Sequence, residues 1–302
     1  MDVDLFALAH EPWIRLGSFA VIFALIAVWE AVAPRRSLSA PKARRWTANL
    51  GLVLLNTVLV RLAFPLAAVG LAALAVTRGW GLLNNFQVPF WIAFPLALVA
   101  LDFAIWLQHV VFHAVPGLWR LHRVHHADPD FDLSTGLRFH PIEIGLSMLI
   151  KFAAIAVLGP PLLAVLVFEL LLNASAMFNH GNIRLPAALD RVLRWFIVTP
   201  DMHRVHHSIE HDESNSNFGF NLPWWDRLFD TYRDQPRAGH EAMSIGIRGH
   251  SDLREVARLD GLLMLPFKGS VEGRTADEPH WPDEPEADHP GRDAGLGRAP
   301  PH

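Results

Sequence analysis

The 302-residue sequence contains no cysteine. That excludes disulfide scaffolds, thiolate metal sites, iron–sulfur clusters and cysteine nucleophiles together. A bound metal must therefore be held by nitrogen and oxygen. Tyrosine is nearly absent: Tyr232 is the only one, so no tyrosyl radical relay is inferred. No G-x-G-x-x-G fingerprint for a dinucleotide occurs, and electrons for any redox chemistry must come from a partner. Charge is scarce too, with 19 % charged residues and a formal net charge of −4. Residues 269–302 hold eight acids and three bases, which leaves the remainder near neutral. There is no basic patch suited to nucleic acid.

What is plentiful is apolar. The chain is 51 % hydrophobic, its mean hydropathy is +0.23, and the apolar residues come in long runs. These observations predict an all-α integral membrane protein with about four to five transmembrane or re-entrant helices. Residues 16–33, "LGSFAVIFALIAVWEAVA", form the first span. The acidic segment before it and the lack of a small-residue cleavage site after it argue against a signal peptide. The next loop, "PRRSLSAPKARR", carries five Lys/Arg in twelve residues, which predicts that it is cytoplasmic. Residues 48–76 are apolar apart from Arg61 and are long for one span, with a kink expected at Pro65. Residues 88–113 return to the inside. Two apolar arms around Gly159-Pro160-Pro161 then read as a hairpin into the membrane and back. On this count every histidine cluster falls on the cytoplasmic face, in a helical cap. "LPAALDRVLRWFIV" (185–198) suits an interfacial helix. Residues 241–267 hold a short helix and a last apolar stretch, and 269–302 read as a disordered tail.

Seventeen histidines are present, and those between 109 and 207 carry the strongest pattern. His109 and His113 are four apart. His122, His125 and His126 stand at i, i+3 and i+4, a spacing that faces one way on a helix. His203, His206 and His207 repeat it within nearly the same string, "HRVHH". His140 and His180 stand alone at the ends of apolar segments. Asp102 lies two helical turns before His109. Imidazole suits zinc, copper, iron and nickel, and a single tetrahedral zinc needs four ligands at most. The clustered histidines exceed that, so two metals with four or five nitrogen ligands each are expected. The Glu-x-x-His pairs of ferritin-like di-iron bundles do not appear in the cluster. Spacing alone does not choose the metal.

The strings "HVVFH", "HRVHH", "RFHPIE", "FNHGN" and "TPDMHRVHHS", followed by "NSNFGFNLPWWDRLFDTY", resemble the fatty acid hydroxylase superfamily, also called the sterol desaturase family. The resemblance covers about 95–235 and continues weakly through "MSIGIRGH". It implies an integral membrane oxidoreductase that binds two irons through histidine boxes. Such an enzyme uses O2 and an external electron donor (a ferredoxin, cytochrome or reductase) to hydroxylate or desaturate a lipid or sterol-like substrate. Carried over, the ligands are His109, His113, His122, His125, His126, His180, His203, His206 and His207. His140, Asp102, Asn182 and Glu143 are candidate ligands or supports, with Asp102 placed to accept the second N–H of a ligand imidazole. The chain departs from the family at Trp106, where many members have tyrosine, at Val110 (arginine) and at Asp230 (glycine). The box pattern is closer to bacterial sterol-desaturase-like and alkylglycerol-monooxygenase-like members, and the composition suggests a bacterial inner membrane.

Four segments are expected: N-terminal transmembrane helices (1–94), a catalytic domain (95–235), a C-terminal helical extension (236–268) and the tail (269–302). In the last motif, Trp224, Trp225, Leu228 and Phe229 are expected to form a compact apolar knot, with Asp226 paired to Arg227. Two other readings stay open. One is a zinc-dependent membrane hydrolase using Glu143 or Asp201 as base. The other is a metal-binding membrane protein without catalysis.

Overall fold

A computed structural model describes residues 3–269, and no strand forms among them. The part of the expected disordered tail beyond Gly269 lies outside the described residues. The long helices are α1 (Val3–Val32), α2 (Lys42–Ala63) and α3 (Ala67–Arg78), then the single turn α4 (Leu82–Asn85) and α5 (Phe90–Ala114). After them come α6 (Pro116–His126), α7 (Pro141–Leu158) and α8 (Leu162–Asn179). Short helices complete the cap: α9 (Ala187–Leu193), α10 (Pro200–His206), α11 (His211–Ser214) and α12 (Trp224–Leu228). The last are α13 (Gly239–Ala242), α14 (Leu253–Val256) and α15 (Leu259–Met264).

Among the described residues, five segments are long and apolar enough to cross a membrane: Phe6–Val32, Lys42–Asn85, Phe90–Ala114, Pro141–Leu158 and Leu162–Asn179. Their outward positions are apolar, as hydrocarbon requires; on α1 alone Leu16, Val21, Leu25 and Val28 are exposed. The protein is an integral membrane protein, all helical, with the histidines gathered at one end of the bundle.

Side-chain pairings fix the direction of each helix. Glu30, near the end of α1, accepts the backbone N–H groups of Leu133 and Asn182, and Arg15 on the same helix pairs with Glu169. Hence α1 runs parallel to α8, toward the cap. The segment after it descends in order. Arg45 binds Asp128 in the cap, Asn56 donates to the carbonyl of Phe139, and Phe64 stacks edge-on against Phe152. The descent ends where Gly81 meets Gly159 at the hairpin tip. This is one traverse built from two helices, and Pro65 stands at the break between them because it cannot supply the helical N–H. At the tip a Cβ on Gly81 would collide with the backbone of Gly159, and both residues have positive φ, so only glycine fits either position. The arms α7 and α8 hold 18 residues each, about 27 Å apiece and close to the hydrocarbon thickness.

Arg61, costly in lipid, pairs with Glu11 at 3.4 Å. The predicted interfacial helix at 185–198 is shorter than expected. It ends at Leu193, and Arg194 caps it while its side chain turns in to Asp190 and Asp234. Arg45, from the basic loop, is fully buried between Asp128 and Asp132 at 2.5 and 2.8 Å. This knot fixes the turn beyond His125 and His126.

Candidate metal centre

Four elements converge. α5 ends with His109 and His113. The chain turns at Val115, and Pro116 opens α6, where a missing N–H costs nothing. α6 then presents His122, His125 and His126. α8 ends at His180. In α10 the Thr199 side chain accepts the N–H of Met202 at 3.4 Å and Pro200 takes the first helical position. That short helix carries His203 and His206, with His207 at its cap.

The nine expected ligand histidines form two buried groups. One holds His109, His113, His122, His126 and His206; the other holds His125, His180, His203 and His207. Each H-x-x-H-H string therefore serves both groups, not one. In α6 the i,i+4 pair His122/His126 faces the first group, and His125 is turned to the second. In α10 and its cap the roles reverse: His203 and His207 join the second group, and His206 reaches the first. One helix of i, i+3, i+4 histidines spreads its rings over about 100°, enough to address two centres. Two such helices facing each other exchange their odd members. That is why the string occurs twice.

The nitrogens meet head to head. Nε2 of His109 is 3.0 Å from Nε2 of His122, and Nε2 of His113 is 3.1 Å from that of His126. In the other group Nε2 of His180 lies 3.1 Å from those of His125 and His207 and 3.2 Å from that of His203. The outer nitrogens determine what these contacts are. His109 donates its Nδ1–H to the carbonyl of Phe218 at 2.7 Å, and His206 donates to that of Ser216 at 2.7 Å. His122 donates to Glu143 at 2.6 Å. His180 donates to Asn179 Oδ1 at 2.6 Å and the Ala176 carbonyl at 2.8 Å. A neutral imidazole protonated at Nδ1 carries a lone pair at Nε2. His109 and His122 thus aim lone pairs at one another in a site closed to water. A cation between them removes that repulsion. Two nitrogens bound at right angles to one metal at about 2.1 Å stand about 3.0 Å apart, so the spacing fits shared coordination.

Burial acts in the same direction. Desolvation first, then the mutual repulsion of neighbouring rings, pushes His125, His126, His203, His206 and His207 well below the ordinary imidazole value. His180 is pushed down to about 3, chiefly by burial. The rings are neutral at physiological pH and ready to ligate without losing a proton.

Supports that spacing did not reveal come from "NSNFGFN" and the tryptophan-rich string after it. Asp226 is fully buried and receives the N–H groups of Phe218 and Gly219 at 2.9 and 2.8 Å, the Trp106 indole at 3.0 Å and the Thr231 hydroxyl at 2.8 Å. It holds in place the carbonyl that orients His109. Asn217, at φ +52, donates to the carbonyls of Met202 and Arg233. Gly136 lies against the Ala176 carbonyl and His180, where a Cβ would not fit.

Several expectations need correction. Asp102 accepts from Asn221 at 2.7 Å and Trp225 at 2.8 Å. It anchors the segment that carries Phe218 and does not receive an imidazole N–H. His140 is the N-cap of α7, accepting from Ile142, and its other nitrogen faces the Leu263 carbonyl at 3.3 Å; it stands outside both groups. Asn182 pairs with the backbone of Arg36, joining the first loop to the bridge between Pro34 and Ile183. Glu143 is the one support of the four that reaches a ligand ring directly. Asp226 does not pair with Arg227. That guanidinium instead lies between Trp195 and Tyr232, 4.2 and 3.9 Å from their ring centres. The apolar knot opens outward, leaving Trp224, Leu228 and Phe229 exposed.

Comparison with known proteins places this arrangement. The ornithine lipid hydroxylase OlsE of Rhizobium tropici is 31 % identical over 155 residues, which is 51 % of this chain and 45 % of that protein. Human (Homo sapiens) alkylglycerol monooxygenase is 27 % identical over 141 residues, 45 % of this chain and 29 % of the relative. A cholesterol 25-hydroxylase-like protein of Danio rerio is 28 % identical over 140 residues, 44 % and 53 % respectively. The chain spans about half or less of the length of these relatives. No solved structure matches it. The fatty acid hydroxylase family matches residues 94–231, the stretch that contributes every histidine of both groups and Asp226. Over that stretch, just under half of the chain, the protein is similar to the fatty acid hydroxylase family.

Proposed function

We propose that this protein is an O2-dependent di-iron oxygenase that hydroxylates or desaturates a C–H bond of a membrane lipid. The observation that supports it most is the division of nine buried histidines into two adjacent groups of five and four. His109, His113, His122, His126 and His206 would hold one iron, and His125, His180, His203 and His207 the other. Nitrogen-only donor sets without cysteine suit iron that must change oxidation state with coordination positions left open. Bound iron supplies O2 activation and the oxidising power to break a C–H bond.

The chain's own residues do the rest. Glu143 and the carbonyls of Phe218, Ser216 and Ala176 keep protons on Nδ1, so each Nε2 stays available. The buried cap excludes water, which protects a reactive oxidant from wasteful reduction. α5, α7 and α8 lead from the hydrocarbon to the site, an approach suited to an apolar chain. Electrons would come from an external carrier. The loop that supports the cytoplasmic assignment holds Arg35, Arg36, Lys42, Arg44 and Arg45 at the same end as the histidines, so the site would face the cytoplasm, in a bacterial inner membrane. A hydrolytic reading is less well supported. Its two candidate bases are engaged, Glu143 by His122 and Asp201 by Arg204 and Arg35.

The test is isotopic. Iron-loaded protein, a reductant and a lipid extract under 18O2 should give a lipid gaining one labelled oxygen, or one losing two hydrogens. Conversion that proceeds without O2 refutes the proposal.

A further inference from the structure

The outer face of the tryptophan-rich motif takes no part in the metal centre. α9 and the turn after it expose Leu189, Val192, Trp195 and Phe196, and α12 with its cap exposes Trp224, Leu228 and Phe229. The two faces form one surface, because the Trp224 indole donates to the Trp195 carbonyl at 2.8 Å and the Arg227 guanidinium stacks on Trp195. That surface is fixed to membrane helices at both ends. Phe229 stacks on Trp106 of α5 with ring centres 4.7 Å apart, and Trp225 meets Phe103, about one turn farther from the cap, at 4.9 Å. On the other side Leu193 packs into the cluster that holds Ile26 of α1 and Met177 of α8.

Water is a poor cover for a patch of large apolar side chains, and what covers this one follows from what it continues. Leu107, next to Trp106, is itself exposed on α5, within a span that hydrocarbon surrounds. The patch extends that lipid-facing side onto the cap, and its tryptophans suit the zone where chains meet headgroups. Nearby charges are turned away from it: Arg194 reaches in to Asp190, and Arg227 lies flat between Trp195 and Tyr232. Height follows from the helix rise. His109 and His113 stand three and seven residues past Trp106 toward the cap, about 5 and 10 Å farther along α5. An apolar face lying in the interface sinks about 5–10 Å into the boundary between headgroups and chains. With Trp106 and Phe229 at that boundary, the histidines stand level with the headgroups. The chain ends lie about 15 Å deeper, at the midplane.

We propose that this apolar surface lies in the acyl boundary of the leaflet on the histidine side and seats both histidine groups at headgroup height. The carbon within their reach is then in the headgroup, the glycerol backbone or the first carbons of a chain, and not in the distal half of a chain. That last step rests on the oxygenase reading and narrows the substrate to a lipid whose oxidised C–H bond lies close to its headgroup.

The test reads depth. The sequence has no cysteine, so single cysteines carry a fluorophore without background. Val192→Cys, Phe196→Cys and Leu228→Cys report on the surface, and Val111→Cys, between His109 and His113, reports the histidine height. Val21→Cys on α1 and Arg248→Cys in an exposed ion pair are the references for hydrocarbon and water. Each full-length variant is placed in phosphatidylcholine nanodiscs with a nitroxide on the lipid headgroup, high on the chain or near the chain end, and quenching is compared. All the replaced side chains are exposed, and unchanged metal content checks that the variants keep the fold. The three surface labels should be quenched most by the nitroxide high on the chain, Val111→Cys by the headgroup nitroxide and Val21→Cys by the one near the chain end. Surface labels quenched no more than Arg248→Cys, or a Val111→Cys label quenched most from within the chain, overturn the proposal. In turnover under 18O2, fragmentation of the product should place the labelled oxygen in or next to the headgroup, and label in the distal half of a chain overturns the substrate step. Depth is read without turnover, so loss of the oxygenase reading and loss of the membrane seat are separate results.

Discussion

The Nδ1–H of His122 donates to Oε1 of Glu143 at 2.6 Å, both side chains being buried. One end of the imidazole is thereby fixed on α7 while the other faces His109 across 3.0 Å. A carboxylate behind a ligand histidine sets the ring's tautomer and raises its basicity. Glu143→Ala should lower metal affinity by about 10- to 100-fold, and Glu143→Gln should lower it less, because its carbonyl oxygen still accepts the N–H. Metal titration of the two variants checks the order. Equal affinities would mean that the contact does not act on the metal.

The crossed histidine strings make a prediction that a one-string, one-metal arrangement does not. His125 and His206 belong to different groups from their nearest neighbours in sequence. His206→Ala should lose metal from the first group and leave the second loaded, taking the content from about two to about one per chain. His125→Ala should do the converse. The double variant should hold less than either. If both single changes empty the same spectroscopic site, the assignment of the two groups is wrong. His289, outside the described residues, supplies a control substitution that should leave metal and turnover as they are.

Arg45 is a structural residue with a large expected effect. Its guanidinium is fully buried and pairs with Asp128 and Asp132. Asp128 is held down to about 2 because Arg45 and Arg138 outweigh the burial that would raise it. Removing one partner of a buried pair typically costs about 3–5 kcal/mol. Arg45→Ala should therefore lower the thermal midpoint far more than Arg248→Ala, whose pair with Glu210 is exposed and worth at most about 1 kcal/mol. Similar midpoints for the two would refute this role.

The metal-free protein should be acid-sensitive. The buried histidines have pKa values depressed in the fold, with His180 at about 3 against 6.5 as the ordinary value. Below pH 6.5 the unfolded chain takes up protons that the folded chain refuses, so stability is complete above that pH and falls as pH drops toward 3. Unfolding midpoints of metal-free protein between pH 8 and pH 5 should decline steadily on the acid side. A flat profile would mean that the rings are charged or solvated in the fold.

The membrane helices were legible in the sequence because hydrocarbon imposes long apolar runs, and Pro65 marked the break in the second traverse. The histidine set was legible because i, i+3, i+4 repeats of one residue type are rare. How the set divides was not. On a helix the i+3 and i+4 positions differ by about 100°, and which centre each ring meets depends on how α6 and α10 face one another. The roles of Asp226 and Asn217 were hidden for a related reason. Their partners are backbone groups, at Phe218, Gly219, Met202 and Arg233, and side-chain spacing carries no trace of those. Asp102 misled because helical phase placed it under His109, while Asn221 and Trp225 from a distant segment had taken both of its oxygens.

A di-iron centre held by the two histidine groups would be visible in the metal itself. Protein purified from iron-supplemented cells would be analysed for metal content, with Mössbauer spectra recorded after reduction and again after exposure to O2. Two histidine groups that each hold iron should give about two irons per chain, in two distinguishable nitrogen-rich sites that both change on reaction with O2. One zinc per chain, or iron that O2 leaves untouched, would contradict it.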